Sequence, residues 1–261
     1  GGHMRTCWFE EFVADLNWTN PALLDRALDD TLWWIDRFDV DGLRLDAVPM
    51  MPRYALRHLR ARLDRRRPEA APHVYLLGEN YVGRGGQPQL AYFLGPDTLT
   101  GEFQFPLMWT LRDAMAGDAP MAALDRVVRS GRRLWQGSGS VMAPFLGNHD
   151  VRRFTTAMNK RLPTDASDTT DDRLRLAWTF VLTQPGAPVI YYGDEIGLTG
   201  GPDPDNRHDM RFGDALTDAE RATRRHVRRL GRLRDCSTAL RRGDYTPVDA
   251  GPDHLVYARR T

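Results

Sequence analysis

Three short apolar runs that end in acidic side chains constrain the fold of this chain more than any other feature. The runs are GLRLD, ending at Asp46, LLGEN, with Glu79, and FLGNHD, ending at Asp150. Between them, apolar residues recur every three or four positions, which indicates helices. Strands that alternate with helices form parallel sheets, whose functional groups gather at the carboxyl edge. The sequence therefore predicts an α/β fold with these three acids at the ends of parallel strands.

Two helices are predicted on either side of the first strand. Asn20 suits a helix cap and Pro21 the first helical position, and the apolar spacing then continues to Phe38. Pro52 opens the second helix, which we expect to end near Pro68. The first acid is thus carried by a helix–strand–helix unit.

Arg44 and Asp46 form the first chemically interesting pair. Strand side chains repeat every two residues, so the two lie on one face. A guanidinium beside a carboxylate lowers its pKa and keeps it ionised. A buried strand with one surface ion pair would give the same pattern, so this motif alone does not decide the function.

The remaining elements are predicted from apolar patterns and turn residues. Alternating Leu255, Tyr257 and Arg259 indicate a final strand, with no later segment to pair with it. Thr217 and Glu220 have the spacing of a capping box. The further predictions are strands at 74–77, 101–108, 141–146 and 188–192, helices at 109–117, 121–135 and 171–184, and a polar loop from Gly193 to Arg211.

Composition excludes several function classes. The chain has 36 basic and 35 acidic residues among 261, so no charge excess points to nucleic acid or an anionic membrane. No run approaches the roughly 20 apolar residues that span a bilayer. Cys7 and Cys236 have neither a metal-site nor a disulfide-framework spacing, and we expect free thiols. The start carries no export signal, which favours the cytoplasm, although the true amino terminus is expected to be missing.

Taken in order, the three motifs resemble conserved regions of the α-amylase superfamily, glycoside hydrolase family 13. VADLNWTNP resembles the short motif late in that family's inserted B domain, and PGAPVIYYGDEIGLTGGPDPDNR resembles its eighth strand and the loop that follows. The resemblance implies an incomplete (β/α)8 TIM barrel, roughly strands 4 to 8, with the start of a C-terminal β-domain. It implies three parts: residues 1–19 ending the B domain, 20–240 in the barrel and 241–261 in the β-domain. Five strands cannot close a barrel, so we expect a fragment of a longer protein.

The same resemblance implies catalytic roles. Asp46 would be the nucleophile, oriented and kept charged by Arg44. Glu79 would protonate the leaving oxygen and then deprotonate the incoming water. Asp150 would bind the sugar hydroxyls most tightly at the transition state, with a further hydrogen bond from His149.

The polar loop adds two candidates for substrate binding. Asp203 and Arg207 match positions that grip a more distant sugar in some relatives. The surrounding glycines and prolines form turns that favour aspartate for structural reasons, so a turn role stays open. Met50 stands where the family often has a sugar-binding histidine. With the DAVP sequence before it, this favours short oligosaccharides or disaccharides.

The resemblance therefore implies a retaining α-glucoside or α-glucan hydrolase that uses a covalent glycosyl-enzyme intermediate. A transglycosylase or isomerase of the trehalose-synthase type is one alternative, and a catalytically inactive binding subunit is another. The expected partner is a carbohydrate, with neither nucleic acid nor membrane involved. The chemistry requires no cofactor. A structural calcium ion stays open, because the absent first three strands include the region that often carries it.

Overall fold

The structure is a computed structural model that describes residues 12–66, 74–162 and 169–261. Cys7 and the predicted helix end near Pro68 lie outside these ranges. The chain divides into two units. The first contains the described residues of Gly1–Val82 with Gln87–Phe103 and Leu134–Val141, and the second contains Gly83–Gly86, Gln104–Arg133 and Met142–Thr261.

The first unit contains a parallel three-stranded sheet in the order β1-β2-β3. Parallel pairing of strands joined by helices confirms the predicted α/β class. The strands are β1 Gly42–Leu45, β2 Tyr75–Gly78 and β3 Gly101–Glu102, and the helices are α1 Pro21–Phe38, α2 Arg53–Arg66 and α3 Gln87–Phe93.

Helix α1 has the predicted bounds, and its first turn shows why. The Asn20 side-chain oxygen accepts a hydrogen bond from the Ala22 nitrogen at 3.0 Å, which satisfies a donor that the helix leaves unpaired. Pro21 follows at the first position, where its missing N–H costs nothing. The predicted start of the helix is therefore confirmed.

The register of the sheet brings three strand ends together. Leu45 of β1 pairs with Gly78 of β2, and Gly78 pairs with Glu102 of β3. A Cβ atom on Gly78 would lie 2.4 Å from the Leu99 side chain, so a larger residue does not fit without a shift. Gly78, the residue before Glu79, is therefore closely packed at the end of β2.

The prediction of a strand over 101–108 was wrong beyond its first two residues. Strand β3 ends at Glu102, and helix α4 Phe105–Ala116 takes in the second alternating phenylalanine. Pro106 lies in the first helical turn, where proline is favoured, and it has no N–H for a strand ladder. The preference of proline for the first helical turn therefore outweighed the alternating apolar pattern.

The second unit is mainly helical, with a core that includes the fully buried Trp178. The predicted capping box is confirmed by both reciprocal bonds between Thr217 and Glu220, at the start of the helix Asp218–Cys236. No helix within the described ranges is long and apolar enough to cross a membrane. The remaining helices are α5 Ala122–Leu134, α6 Phe154–Arg161, α7 Thr170–Thr183, α8 Asp218–Cys236 and α9 Thr238–Arg242.

Three strand predictions in this unit need correction. The segments predicted as strands at 141–146 and 188–192 form no extended ladder, and Phe145 and Val189 make an isolated parallel bridge. Prolines 144 and 188 cannot donate to a ladder, which limits regular pairing there. The final strand does have a partner, since β4 Asp244–Ala250 pairs antiparallel with β5 Leu255–Arg260.

Candidate active site

Asp46 lies directly after β1, where the sequence predicts it. Arg44 Nη1 donates a hydrogen bond to Asp46 Oδ1, so the predicted pair forms. The Asp46 side chain is 76% exposed, which leaves the carboxylate accessible to an incoming molecule. The next residue, Ala47, has φ of 43°, a left-handed conformation that is uncommon for alanine and frequent at functional turns.

Glu79 is held against the loop that carries Asp46. The Ala47 nitrogen donates to Glu79 Oε2 at 3.1 Å, and the Val48 nitrogen donates to the Glu79 carbonyl at 2.9 Å. In return, the Glu79 nitrogen donates to the Leu45 carbonyl at 2.8 Å. Glu79 is only 7% exposed. The structure therefore brings two predicted acids together in the first unit, one exposed and one buried.

A third acid, Glu102, lies at the end of the neighbouring strand and was missed in the sequence. Its side chain is fully buried, with the Asn80 side chain as a polar neighbour of the carboxyl group. Burial raises the pKa of Glu102 to about 9, and the negative charge of nearby Glu79 adds to the rise, against a smaller lowering by Asn80. Glu102 is therefore neutral at pH 7. Its place at the end of a third parallel strand was the signal that could have revealed it.

We expect Glu102→Gln to remove a pH dependence of folding. Folded Glu102 has a raised pKa, whereas an unperturbed glutamate carboxyl has a pKa of about 4.3. Its stabilising contribution is thus complete below that value and is lost as the pH rises toward about 9. The variant should match wild type at pH 4 and exceed its unfolding free energy at pH 8 by more than ~1 kcal/mol.

Urea unfolding at several pH values measures this difference, with Asp30→Asn on the exposed face of α1 as the matched control. An identical pH dependence of unfolding in wild type and Glu102→Gln would contradict the buried, protonated state of Glu102.

In the second unit, Asn148 organises the side chain of Asp150. Asn148 Nδ2 donates to Asp150 Oδ2 at 3.2 Å, and the Asp150 nitrogen donates to Asn148 Oδ1 at 3.0 Å. His149 Nε2 lies 3.3 Å from Asp150 Oδ1, so both carboxylate oxygens have polar neighbours. Asn148 and His149 thus contact both oxygens of the Asp150 carboxylate, and the proposed sugar-binding role of His149 and Asp150 stays a prediction.

A buried ion pair lies behind this loop. Arg153 Nη1 is 2.8 Å from Asp194 Oδ1, and the two side chains are 1% and 2% exposed. Burial raises the pKa of Asp194 to about 6, although Arg153 and Arg112 oppose the rise. A Cβ on Gly147 would lie 3.0 Å from the Arg112 guanidinium, so the loop passes close over these charges. Sequence reasoning did not assign this pair.

Asp203 and Arg207 contact each other in the polar loop. Arg207 Nε lies 2.6 Å from Asp203 Oδ1, with both side chains about half exposed. The Asp203–Pro204 peptide bond is cis. An exposed pair fits a turn as well as a substrate contact, so the predicted binding role stays a prediction.

The described residues contain no group of three or more histidine, cysteine, aspartate or glutamate side chains placed to hold a metal ion. Cys236 is exposed and free, as expected.

The comparison with known families decides the membership of this chain. A family model described as "Alpha amylase, catalytic domain" matches residues 6–232. The chain belongs to the α-amylase family. This membership, together with the solved structures of amylases, implies a fold of the (β/α)8-barrel type, of which the described parallel strands form a part.

Several members of the α-amylase family are similar to this chain over most of its length. A cyclomaltodextrinase from Geobacillus thermopakistaniensis is 31% identical over 251 residues, which are 94% of this chain and 39% of the relative. A cyclomaltodextrin glucanotransferase from Niallia circulans is 30% identical, covering 95% of this chain and 32% of the relative. The solved α-amylase of Geobacillus thermoleovorans with acarbose superimposes with a TM-score of 0.82 at 27% identity, covering 97% of this chain and 53% of that one. The chain thus spans about half or less of these relatives.

Proposed function

We propose that the complete protein containing this chain is a retaining α-glucan hydrolase that acts on short oligosaccharides. The observation that carries the proposal is the hydrogen bond from the Ala47 nitrogen to Glu79 Oε2, because it joins the loop after Asp46 to a second acid. Membership of the α-amylase family supports the same pair of roles. Relatives named for cyclomaltodextrins support an α-glucan substrate.

The proposed reaction has two displacements. Asp46 attacks the anomeric carbon and forms a glycosyl ester, while Glu79 gives its proton to the departing glycosidic oxygen. Glu79 then takes a proton from water, and the resulting nucleophile attacks the anomeric carbon and releases Asp46 as a carboxylate. Asp150 and His149 would hold the hydroxyls of the flattened sugar ring, and Arg44 would orient Asp46.

The surroundings of the two acids suit these different tasks. Asp46 is an exposed carboxylate beside a guanidinium, whereas the Glu79 carboxyl is buried. Neutral Glu102 next to Glu79 adds no competing negative charge at pH 7. A retaining mechanism also requires the carboxyls of Asp46 and Glu79 to lie about 5 to 5.5 Å apart when the substrate binds.

Transglycosylation is the second candidate, because one relative is named as a glucanotransferase. The same intermediate would then be attacked by a sugar hydroxyl in place of water. A trehalose-synthase-type isomerase belongs to this class. An inactive binding subunit is disfavoured, since it has no chemical need for two acids in such different environments.

The test uses the complete natural protein with 4-nitrophenyl α-glucoside, maltose, maltotriose and trehalose. We expect glucose or short maltosaccharides, with the α-anomer appearing first by NMR because two inversions retain configuration. First appearance of the β-anomer would overturn the double displacement. Formation of trehalose or longer oligosaccharides from maltose would favour the transferase, and a folded protein inactive on all four substrates would favour the binding subunit.

A further inference from the structure

Asn206 connects the polar loop with the loop that carries His149 and Asp150. It lies between Asp205 and Arg207 in sequence, yet it is fully buried while its neighbours lie in an exposed stretch. An asparagine is rarely fully buried unless its amide has partners. Its buried position in a polar turn therefore calls for a specific role.

The Asn206 side chain holds three carbonyl groups of the neighbouring loop. Its Nδ2 donates to the His149 carbonyl at 2.7 Å and to the Val151 carbonyl at 3.0 Å, with the Asn148 carbonyl at 3.5 Å. Three carbonyl oxygens require a donor at this position, which fixes the orientation of the amide. Its Oδ1 has no partner within the described residues, so the nitrogen alone makes the connection. These carbonyls flank Asp150 on both sides.

The backbone of Asn206 is anchored from behind. Arg153 Nε donates to the Asn206 carbonyl at 2.9 Å, and the Arg153 nitrogen donates to the Gly200 carbonyl at 3.1 Å. Arg153 is itself fixed by its buried pair with Asp194. Asn206 is thus anchored to a buried ion pair. Its side-chain amide can therefore restrain the loop that carries His149 and Asp150.

We propose that Asn206 is a positioning residue, which holds the backbone of His149 and Asp150 in the geometry for catalysis and links it to the loop of Asp203 and Arg207. The inference rests on the proposed function for its catalytic consequence. The Asn206 side chain is fully buried. It acts by fixing the carbonyls on either side of Asp150, so its loss should reduce kcat more than substrate affinity.

Asn206→Asp is the sharpest variant, because it preserves shape but replaces the donor with an acceptor that faces three carbonyls. A displacement of about 1 Å at a reacting group can cost on the order of 100-fold in rate. We expect kcat for 4-nitrophenyl α-glucoside to fall about 10- to 100-fold, with KM changed less than threefold.

Backbone hydrogen exchange gives a second readout that does not depend on activity. In the complete protein, amides of residues 147–152 should exchange at least tenfold faster in Asn206→Asp than in wild type. Asn159→Asp is the matched control, since Asn159 is exposed in α6 and its Oδ1 accepts a hydrogen bond from Thr170 Oγ1, which a carboxylate can also accept. If Asn206→Asp does not fold, Asn206→Ala removes the amide without adding a charge.

The outcomes separate this inference from the function on which it rests. Unchanged exchange at 147–152 would overturn the positioning role, whatever the activity of the protein. Faster exchange with unchanged kcat would overturn its catalytic consequence. Absence of α-glucoside activity in wild type would reject the proposed function, while the exchange result would still decide whether Asn206 holds the loop.

Discussion

Replacing Asp46 with asparagine is expected to lower kcat on every accepted α-glucoside by about 10⁴-fold or more. The amide is almost isosteric with the carboxylate, but it cannot form the glycosyl ester of the first displacement. The wild-type side chain is mostly exposed, so the substitution removes little packing. The expected loss is therefore chemical and leaves the thermal unfolding temperature nearly unchanged.

The matched control is Asp41→Asn. Asp41 is exposed and lies just before β1, and its backbone carbonyl, which accepts a hydrogen bond from the Tyr75 nitrogen, is unaffected by the substitution. It should retain wild-type activity. A slowly hydrolysed 2-fluoro α-glucoside should also add its mass to the peptide containing Asp46 in wild type and not in Asp46→Asn. Labelling of a different carboxyl, or substantial activity without Asp46, would reject Asp46 as the nucleophile.

Local chemistry explains which parts of the fold could be predicted from the sequence. Asn20 and Pro21 determine the start of α1 through one cap and one fixed dihedral, and both act within a few residues. Thr217 and Glu220 do the same for α8. The pairing of Arg44 with Asp46 follows from the two-residue period of a strand. These caps and this pairing depend only on near neighbours in sequence and were predicted correctly, whereas the helix start at Pro106 is a local signal that the alternating pattern concealed.

Features that depend on distant partners could not be obtained in this way. Glu102 becomes neutral because β3 lies beside β2, a register that no local pattern determines. Asn206 resembles any other turn asparagine until the carbonyls of a loop more than fifty residues earlier surround it. The bridge between Phe145 and Val189 likewise depends on tertiary placement near prolines. The properties of these residues depend on contacts with distant parts of the sequence, which secondary-structure propensity does not determine.

Replacing Arg153 with methionine is expected to reduce the unfolding free energy by about 3–5 kcal/mol. The substitution leaves Asp194 buried without its cation, and it removes the guanidinium bonds to the Asn206 and Tyr192 carbonyls. The Arg153 guanidinium also lies 4.0 Å from the centre of the Tyr191 ring, a contact that methionine reproduces only in part. Urea unfolding of the complete protein, followed by the transition of this unit, measures the loss.

The dependence of that loss on pH distinguishes an unpaired charge from lost packing. Removing Arg153 takes away a group that lowers the pKa of Asp194, so the folded pKa of Asp194 should rise above its wild-type value of about 6. A carboxyl with a raised folded pKa stabilises the protein below its unfolded pKa and loses that contribution as the pH rises. The cost of Arg153→Met should thus be smaller at pH 4 than at pH 8. Arg26→Met, at an exposed pair with Asp30, should cost less than ~1 kcal/mol at both pH values. An equal cost of Arg153→Met at pH 4 and pH 8 would show that packing, rather than the buried charge of Asp194, makes Arg153 necessary.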